Sequence, residues 1–182
     1  VYHKLAFFDI ILMVIKLGKL QILVGDITSD DILKGHDAIV NATNPAMMHG
    51  GGVCGAIFDK AGSRELTNYI KNNFSTNMVV GEMRITPGFK IGMDIIFAQG
   101  PKYYECDFPI EELKKTYLNL LDTIKSNNYK NVLLPSLGTG IYGYKHSDVG
   151  KMVVDTLSEY IKDTDINIDL VLYFEKDKKY YE

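Results

Sequence analysis

Asn41 and Asn44 stand just ahead of Gly50-Gly51-Gly52, and an apolar segment from Val53 runs on to Gly62. Three adjacent glycines let a backbone approach a ligand with no Cβ in the way and can adopt positive φ, and the first amides of a following helix point outward unpaired. That combination suits an anion, and phosphate is its natural occupant. A flexible loop with turn-capping asparagines would be the better explanation of a lone triple glycine. A second glycine-rich junction, Ser136 to Gly143, shifts the balance towards a ligand site. Asp26 follows a strand-like run and precedes a helix-start signal, which by itself suggests a helix-capping role worth about 1 kcal/mol. Asn44 precedes Pro45, a common turn-making use, yet its amide offers both donor and acceptor to a ligand.

These residues need strands that end at loops and helices that begin there. Lys19 to Val24 reads as a strand beside a shorter one at Met13 to Lys16, and Thr28-Ser29-Asp30-Asp31 signals a helix start into Ile32-Leu33-Lys34. Asp37 to Ala42 is a nearly continuous apolar run, as expected of a strand covered on both faces. Leu66, Tyr69 and Ile70 recur at helical spacing within Ser63 to Asn72, and Gly81 to Thr86 and Asp94 to Ala98 read as strands. The clearest helix is Pro109 to Ser126, with proline in its first turn and an apolar stripe from Ile110 to Ile124. Asn131 to Pro135 is a buried-type strand, Ser147 to Ile161 a helix, and Ile166 to Phe174 a final strand. Glu175 to Glu182 lacks any period and is expected to fray. Strands alternating with helices predict a three-layer α/β/α domain with a mixed central sheet, and ligands in such sheets sit at the carboxyl ends of the strands. Both glycine loops lie at such ends.

At 182 residues the chain fits one domain at about 150 residues each, large enough to bury roughly 70% of its unfolded surface. Net charge is −3 and the pI is about 5.8, which argues against a binder of nucleic-acid backbone. Cys54 and Cys106 are the only cysteines, in neither disulfide nor metal spacing, so a reducing cytoplasmic setting is expected, with no metal and no cofactor. Asp9 interrupts the apolar first fifteen residues and no small-residue cleavage site follows, so neither a signal peptide nor a membrane span is expected there.

Gly138-Thr139-Gly140-Ile141-Tyr142-Gly143 is literally GxGxxG after a strand and before a helix. A dinucleotide fold would place an acid about twenty residues on, at the end of the next strand. Here that strand ends near Glu175, too far away, and no second half of the sheet follows.

Four segments together resemble the macrodomain family, modules that bind ADP-ribose. They are Val24-Gly25-Asp26-Ile27-Thr28, Asp37 to Asn44, Gly50-Gly51-Gly52-Val53 and Leu134 to Gly143, in the family's order and spacing, and the likeness spans about residues 14 to 175. The resemblance implies the macrodomain fold over residues 13–175, an extension of unknown role at 1–12 and a tail at 176–182. It implies that Asp26 accepts the adenine amino group beside the Ile27 backbone, and that Tyr173, or failing it Phe174, packs on the adenine face. The diphosphate is implied to lie against Gly50, Gly51, Gly52, Val53 and Cys54 and against Ser136, Leu137, Gly138, Thr139, Gly140 and Ile141. Tyr142 is implied to pack on the distal ribose, and Asn44 to bind a hydroxyl of that ribose as the catalytic or orienting residue.

Two positions depart from one subgroup of macrodomain hydrolases, which carries an acid after Gly-Gly-Gly-Val and a histidine four residues later. Cys54 and Phe58 stand there, and Asp59 points about 100° away from Phe58 on a helix. Viral and some archaeal members also lack the acid, with a small residue in its place, and are nevertheless hydrolases; Cys54 resembles theirs more than the acidic subgroup's. His49 is expected to shape its loop, and Cys54, although a helix start can lower a thiol pKa, to be an inert filler. The resemblance implies hydrolysis of an ester at the distal ribose, on ADP-ribosylated Asp or Glu side chains or on O-acetyl-ADP-ribose. Its rival is a reader module that binds without cleaving. A monomer acting on ADP-ribose or ADP-ribosylated proteins is expected, with no nucleic acid and no membrane partner.

Overall fold

The computed structural model describes residues 17–182. The strand read at Met13 to Lys16, and the extension before it, lie outside the described residues. Six strands form one sheet: β1 (Leu20–Val24), β2 (Ala38–Ala42), β3 (Met83–Thr86), β4 (Asp94–Ala98), β5 (Asn131–Pro135) and β6 (Asn167–Leu172). Their order is β1-β6-β5-β2-β4-β3, with all neighbours parallel except the antiparallel pair β3 and β4. The sheet is therefore mixed, as the alternation of strands and helices predicts.

The period of two along each strand separates two cores. Ala38, Val40, Val132, Leu134, Ile168 and Leu170 face α4 (Pro109–Ser126) and α5 (His146–Ile161) through Leu113, Leu120, Val149 and Val153. Ile39, Ile95, Phe97 and Leu133 face α2 (Gly52–Ala61) and α3 (Ser63–Asn73) through Ile57, Phe58, Leu66 and Ile70. With one sheet face under each pair of helices, the strands can be apolar on both sides. A four-residue helix, α1 (Asp30–Leu33), follows β1.

Several boundaries differ from the sequence reading, most by one residue, and three of them bear on the site or the sheet edge. Gly81 donates its amide to Gln99 and turns the chain, so β3 starts only at Met83. Helix α5 begins one residue early, at His146. Strand β6 stops at Leu172, leaving Tyr173 and Phe174 beyond it and 71% and 54% exposed.

The end of the chain is a correction. Residues 176–182, expected to fray, are packed: Glu175–Tyr180 is a 3-10 turn, and Tyr181 is 2% exposed. Its hydroxyl lies 2.6 Å from Ser136 Oγ and 2.8 Å from His146 Nδ1. Gly150 makes this close approach possible, because a Cβ there would meet the Tyr180 carbonyl at 2.2 Å. A segment anchored by one aromatic ring and one tertiary glycine contact carries no local period to read.

Candidate functional site

Strands β1, β6, β5 and β2 are consecutive and parallel, so their carboxyl ends line up along one edge of the sheet. A cavity of about 500 Å³ opens along that edge. From β1 it takes Gly25, Asp26 and Ile27, from β6 Tyr173 and Phe174, from β5 Ser136, Thr139 and Gly140, and from the start of α2 Gly52, Val53 and Ala56. Two segments far apart in the sequence, the two glycine loops, thus share one wall.

At the β1 end, Asp26 is exposed and Ile27 buried. Asp26 Oδ1 accepts from the Thr28 hydroxyl at 2.7 Å and from the Thr28 amide at 2.8 Å. These bonds, the hydroxyl's first, hold its carboxyl below the usual carboxylate range. Asp26 does not cap α1, whose N-cap is Ser29, and its second oxygen has no hydrogen-bond partner among the described residues.

The α2 loop is built by one positive dihedral. Gly51 is extended, whereas Gly52 has φ +56°, a conformation that L side chains avoid, and it turns the chain into the helix. No side chain caps α2, and the first intrahelical bond runs from the Gly55 amide to the Gly51 carbonyl. The amides of Gly52, Val53 and Cys54 consequently have no intrahelical partner, and they carry the positive end of the helix dipole.

In the β5 loop Ser136 and Thr139 are half-buried at the cavity, and Thr139 Oγ1 donates to the Ser136 carbonyl at 3.0 Å. Leu137 lies beneath, 1% exposed, with its amide donating to the Tyr117 hydroxyl at 2.8 Å. Leu137 and Gly138 do not line the cavity, and neither does Ile141, which is 99% exposed.

Beyond the cavity, at the β2 end, the remaining expected residues form a second group. Asn44 holds the loop 44–48, with Nδ2 donating to the Met48 carbonyl at 2.7 Å and Oδ1 accepting the Met48 amide at 3.0 Å. Within that loop Met47 is held at φ +52°. The Tyr142 hydroxyl donates to the Thr43 carbonyl at 3.2 Å and accepts from Gln99 Nε2 at 3.2 Å, which ties the second glycine loop to the ends of β2 and β4. Gly50 sits between, since a Cβ there would lie 3.6 Å from Asn44 Nδ2 and 3.7 Å from Cys54 Sγ.

The Cys54 thiol is 6% exposed, contacts Asn41 Nδ2 at 3.5 Å and donates to the Met48 carbonyl at 3.6 Å. Burial pushes its pKa up, against the lowering that a helix start alone would give. His49 Nε2 lies 2.9 Å from Asp59 Oδ1, which also accepts from Ser63 Oγ, and the His49 ring meets Phe58 edge-on at 5.6 Å. Among the described residues no group of three or more His, Cys, Asp or Glu could hold a metal ion.

Two ionisable cavity residues escaped the sequence reading, His146 and Asp177. His146 follows a loop at the first position of α5 and could have been suspected there, whereas Asp177 lies in the aperiodic tail and carried no signal.

Comparison with known proteins gives one consistent relationship. A family model described as Macro domain matches residues 40–153. An O-acetyl-ADP-ribose deacetylase of Enterobacter sp. (strain 638) is 32% identical over 170 residues, covering 90% of this chain and 92% of that protein. The rat ADP-ribose glycohydrolase MACROD1 is 31% identical over 170 residues, 90% of this chain and 63% of that protein. Among solved structures, the Oceanobacillus iheyensis macrodomain with ADP is 32% identical at a TM-score of 0.81, covering 92% of this chain and 90% of that one. A mutant of the same macrodomain with ADPR is 31% identical at a TM-score of 0.81, covering 92% and 91%.

Proposed function

Since the chain belongs to the macrodomain family, we propose that it binds ADP-ribose and hydrolyses the ester at the distal ribose of mono-ADP-ribosylated Asp or Glu side chains or of O-acetyl-ADP-ribose. The observation that carries this reading is the single cavity shared by Asp26, the α2 amides and the second glycine loop along the edge β1-β6-β5. In that order the adenine meets Asp26 and Ile27, with Tyr173 or Phe174 against its face. The diphosphate lies between the amides from Gly52 to Cys54 and the loop Ser136 to Gly140, where the helix dipole favours negative charge. The distal ribose then reaches the β2 end, beside Asn44 and Tyr142.

The chemistry calls for little proton transfer from the protein. On an Asp- or Glu-linked substrate, an attacking water forms a bond to the anomeric carbon while the bond from that carbon to the ester oxygen breaks, and the carboxylate departs with the electron pair. With a pKa near 4 it leaves unprotonated, and the water's proton passes to a phosphate oxygen of the substrate and on to solvent. The protein's part is orientation. An amide has two N–H donors and two acceptor lone pairs, so Asn44 keeps one of each after binding Met48 and offers them to a ribose hydroxyl. The buried, protonated Cys54 takes no part.

Incubation with a glutamate-linked mono-ADP-ribosylated protein and with O-acetyl-ADP-ribose tests the proposal, and release of ADP-ribose or acetate is the expected result. Binding without release favours the second reading, a reader module, which draws its support from Cys54 and Phe58 standing where one hydrolase subgroup has its acid and histidine. The proposal extends to a cytoplasmic monomer that does not bind nucleic acid, with a domain running from near Met13 to the Tyr181 anchor. Among the described residues no helix is long and apolar enough to cross a membrane.

A further inference from the structure

We propose that Asp177 contacts the nucleoside ribose and restricts the cavity to adenosine diphosphates whose 2′,3′-diol is free, excluding 2′-phosphorylated ones; the inference rests on the ADP-ribose reading. Strand order makes the assignment. The base belongs to the end of β1 and the diphosphate to the loop after β5, so the sugar joining them must cross the end of the strand between, β6. The chain leaving β6 is the tail, and Asp177 is the ionisable side chain that this tail contributes to the cavity lining.

The Asp177 carboxylate is placed to accept. Its side chain is only 14% exposed, yet it accepts no hydrogen bond from the described residues. Its ion-pair neighbour among the described residues is His146, whose Nε2 lies 3.6 Å from Asp177 Oδ2, beyond a good hydrogen bond. His146 also bonds Tyr181 through Nδ1, and burial lowers its pKa, so it brings no full cation to this spot at neutral pH. The two lysines flanking Asp177 are directed elsewhere: Lys176 lies over the Phe174 ring at 5.1 Å, and Lys178 lies 3.6 Å from Glu182.

A largely buried carboxylate that accepts no hydrogen bond among the described residues is costly, and a ribose diol supplies two donors to one carboxylate. A phosphate on the 2′ oxygen removes one donor and adds about 1.5 to 2 negative charges against Asp177. The same carboxylate therefore holds one class of ligand and repels the other.

Calorimetry with ADP-ribose and with 2′-phospho-ADP-ribose, at one ionic strength, tests this on the whole chain and on Asp177→Asn. The unaltered protein is expected to prefer ADP-ribose by roughly tenfold or more, the scale of one charge-assisted contact with repulsion added. In Asp177→Asn that preference should shrink to within about threefold, mainly through better binding of the 2′-phosphorylated ligand. The ratio is taken within each variant, so partial misfolding lowers both affinities alike, and Asp177→Ser removes the same charge should the asparagine variant fail to fold. Equal affinity for the two ligands in the unaltered protein, or an unchanged ratio in Asp177→Asn, overturns the inference while leaving the ADP-ribose reading standing. Failure of the unaltered protein to bind ADP-ribose at all overturns that reading and this inference with it.

Discussion

Asn44 grips Met48 with both ends of its amide, donating to the carbonyl at 2.7 Å and accepting the backbone amide at 3.0 Å. The residue expected to orient the distal ribose is therefore also the clasp of its own loop, which lies at the end of β2 rather than in the cavity that takes the rest of the ligand.

Asn44→Ala should consequently act on turnover far more than on binding. Loss of orientation is expected to reduce the rate about a hundredfold, while ADP-ribose affinity falls less than about tenfold because the adenine and diphosphate contacts remain. Asn44→Asp keeps an acceptor for the Met48 amide but loses the donor, and should fall between. Single-turnover rates set beside calorimetric dissociation constants check this, and parallel losses in the two would make Asn44 purely a binding residue.

Cys54→Ala should leave both quantities within about threefold. With its pKa raised by burial, the thiol stays protonated at neutral pH and contributes no thiolate as nucleophile or base. The pH–rate profile should accordingly show no rise between about pH 7 and 9 that the alanine variant abolishes. Loss of hydrolysis in Cys54→Ala would bring the thiol into the mechanism.

Asp26→Ala removes an acceptor whose Oδ1 is fixed by Thr28 and whose other oxygen has no hydrogen-bond partner among the described residues. Binding of ADP-ribose should weaken about tenfold to a hundredfold, the range for a hydrogen bond to a charged group, or about 1.5 to 3 kcal/mol. An unaltered dissociation constant would leave Asp26 with only its local turn to hold.

Tyr181 links Ser136 to His146 through one hydroxyl, so Tyr181→Phe should cost about 1 kcal/mol of stability and loosen the tail wall of the cavity. Burial raises the phenol to about 12 from an ordinary value near 10. Below pH 10 the phenol is neutral in folded and unfolded chain alike and its contribution is complete. As pH rises from 10 towards 12 the unfolded chain ionises first and stability falls, by roughly 2 to 3 kcal/mol for a shift of this size. Urea titrations at a series of pH values should show that fall shallower in Tyr181→Phe, and an identical pH dependence in the two proteins would contradict it.

Periodicity and turn chemistry are local, and what they encode could be read directly. Pro109–Ser126 and Asn131–Pro135 follow from proline placement, an apolar stripe and a buried run, and the Gly50-Gly51-Gly52 run could be placed between a strand end and a helix start. The carboxylate's partner at Asp26 was less legible, because adjacent Thr28, not a distant helix end, holds it. Asp177 could not be found from the chain alone, and His146 could be suspected but not placed in the cavity. Their place depends on β6 lying between β1 and β5, on Tyr181 reaching Ser136, and on Gly150 letting the Tyr180 carbonyl close on α5. Each of these joins residues remote in sequence, and such pairings are selected by burial across the whole fold, which leaves no periodic trace in the segment that supplies the residue.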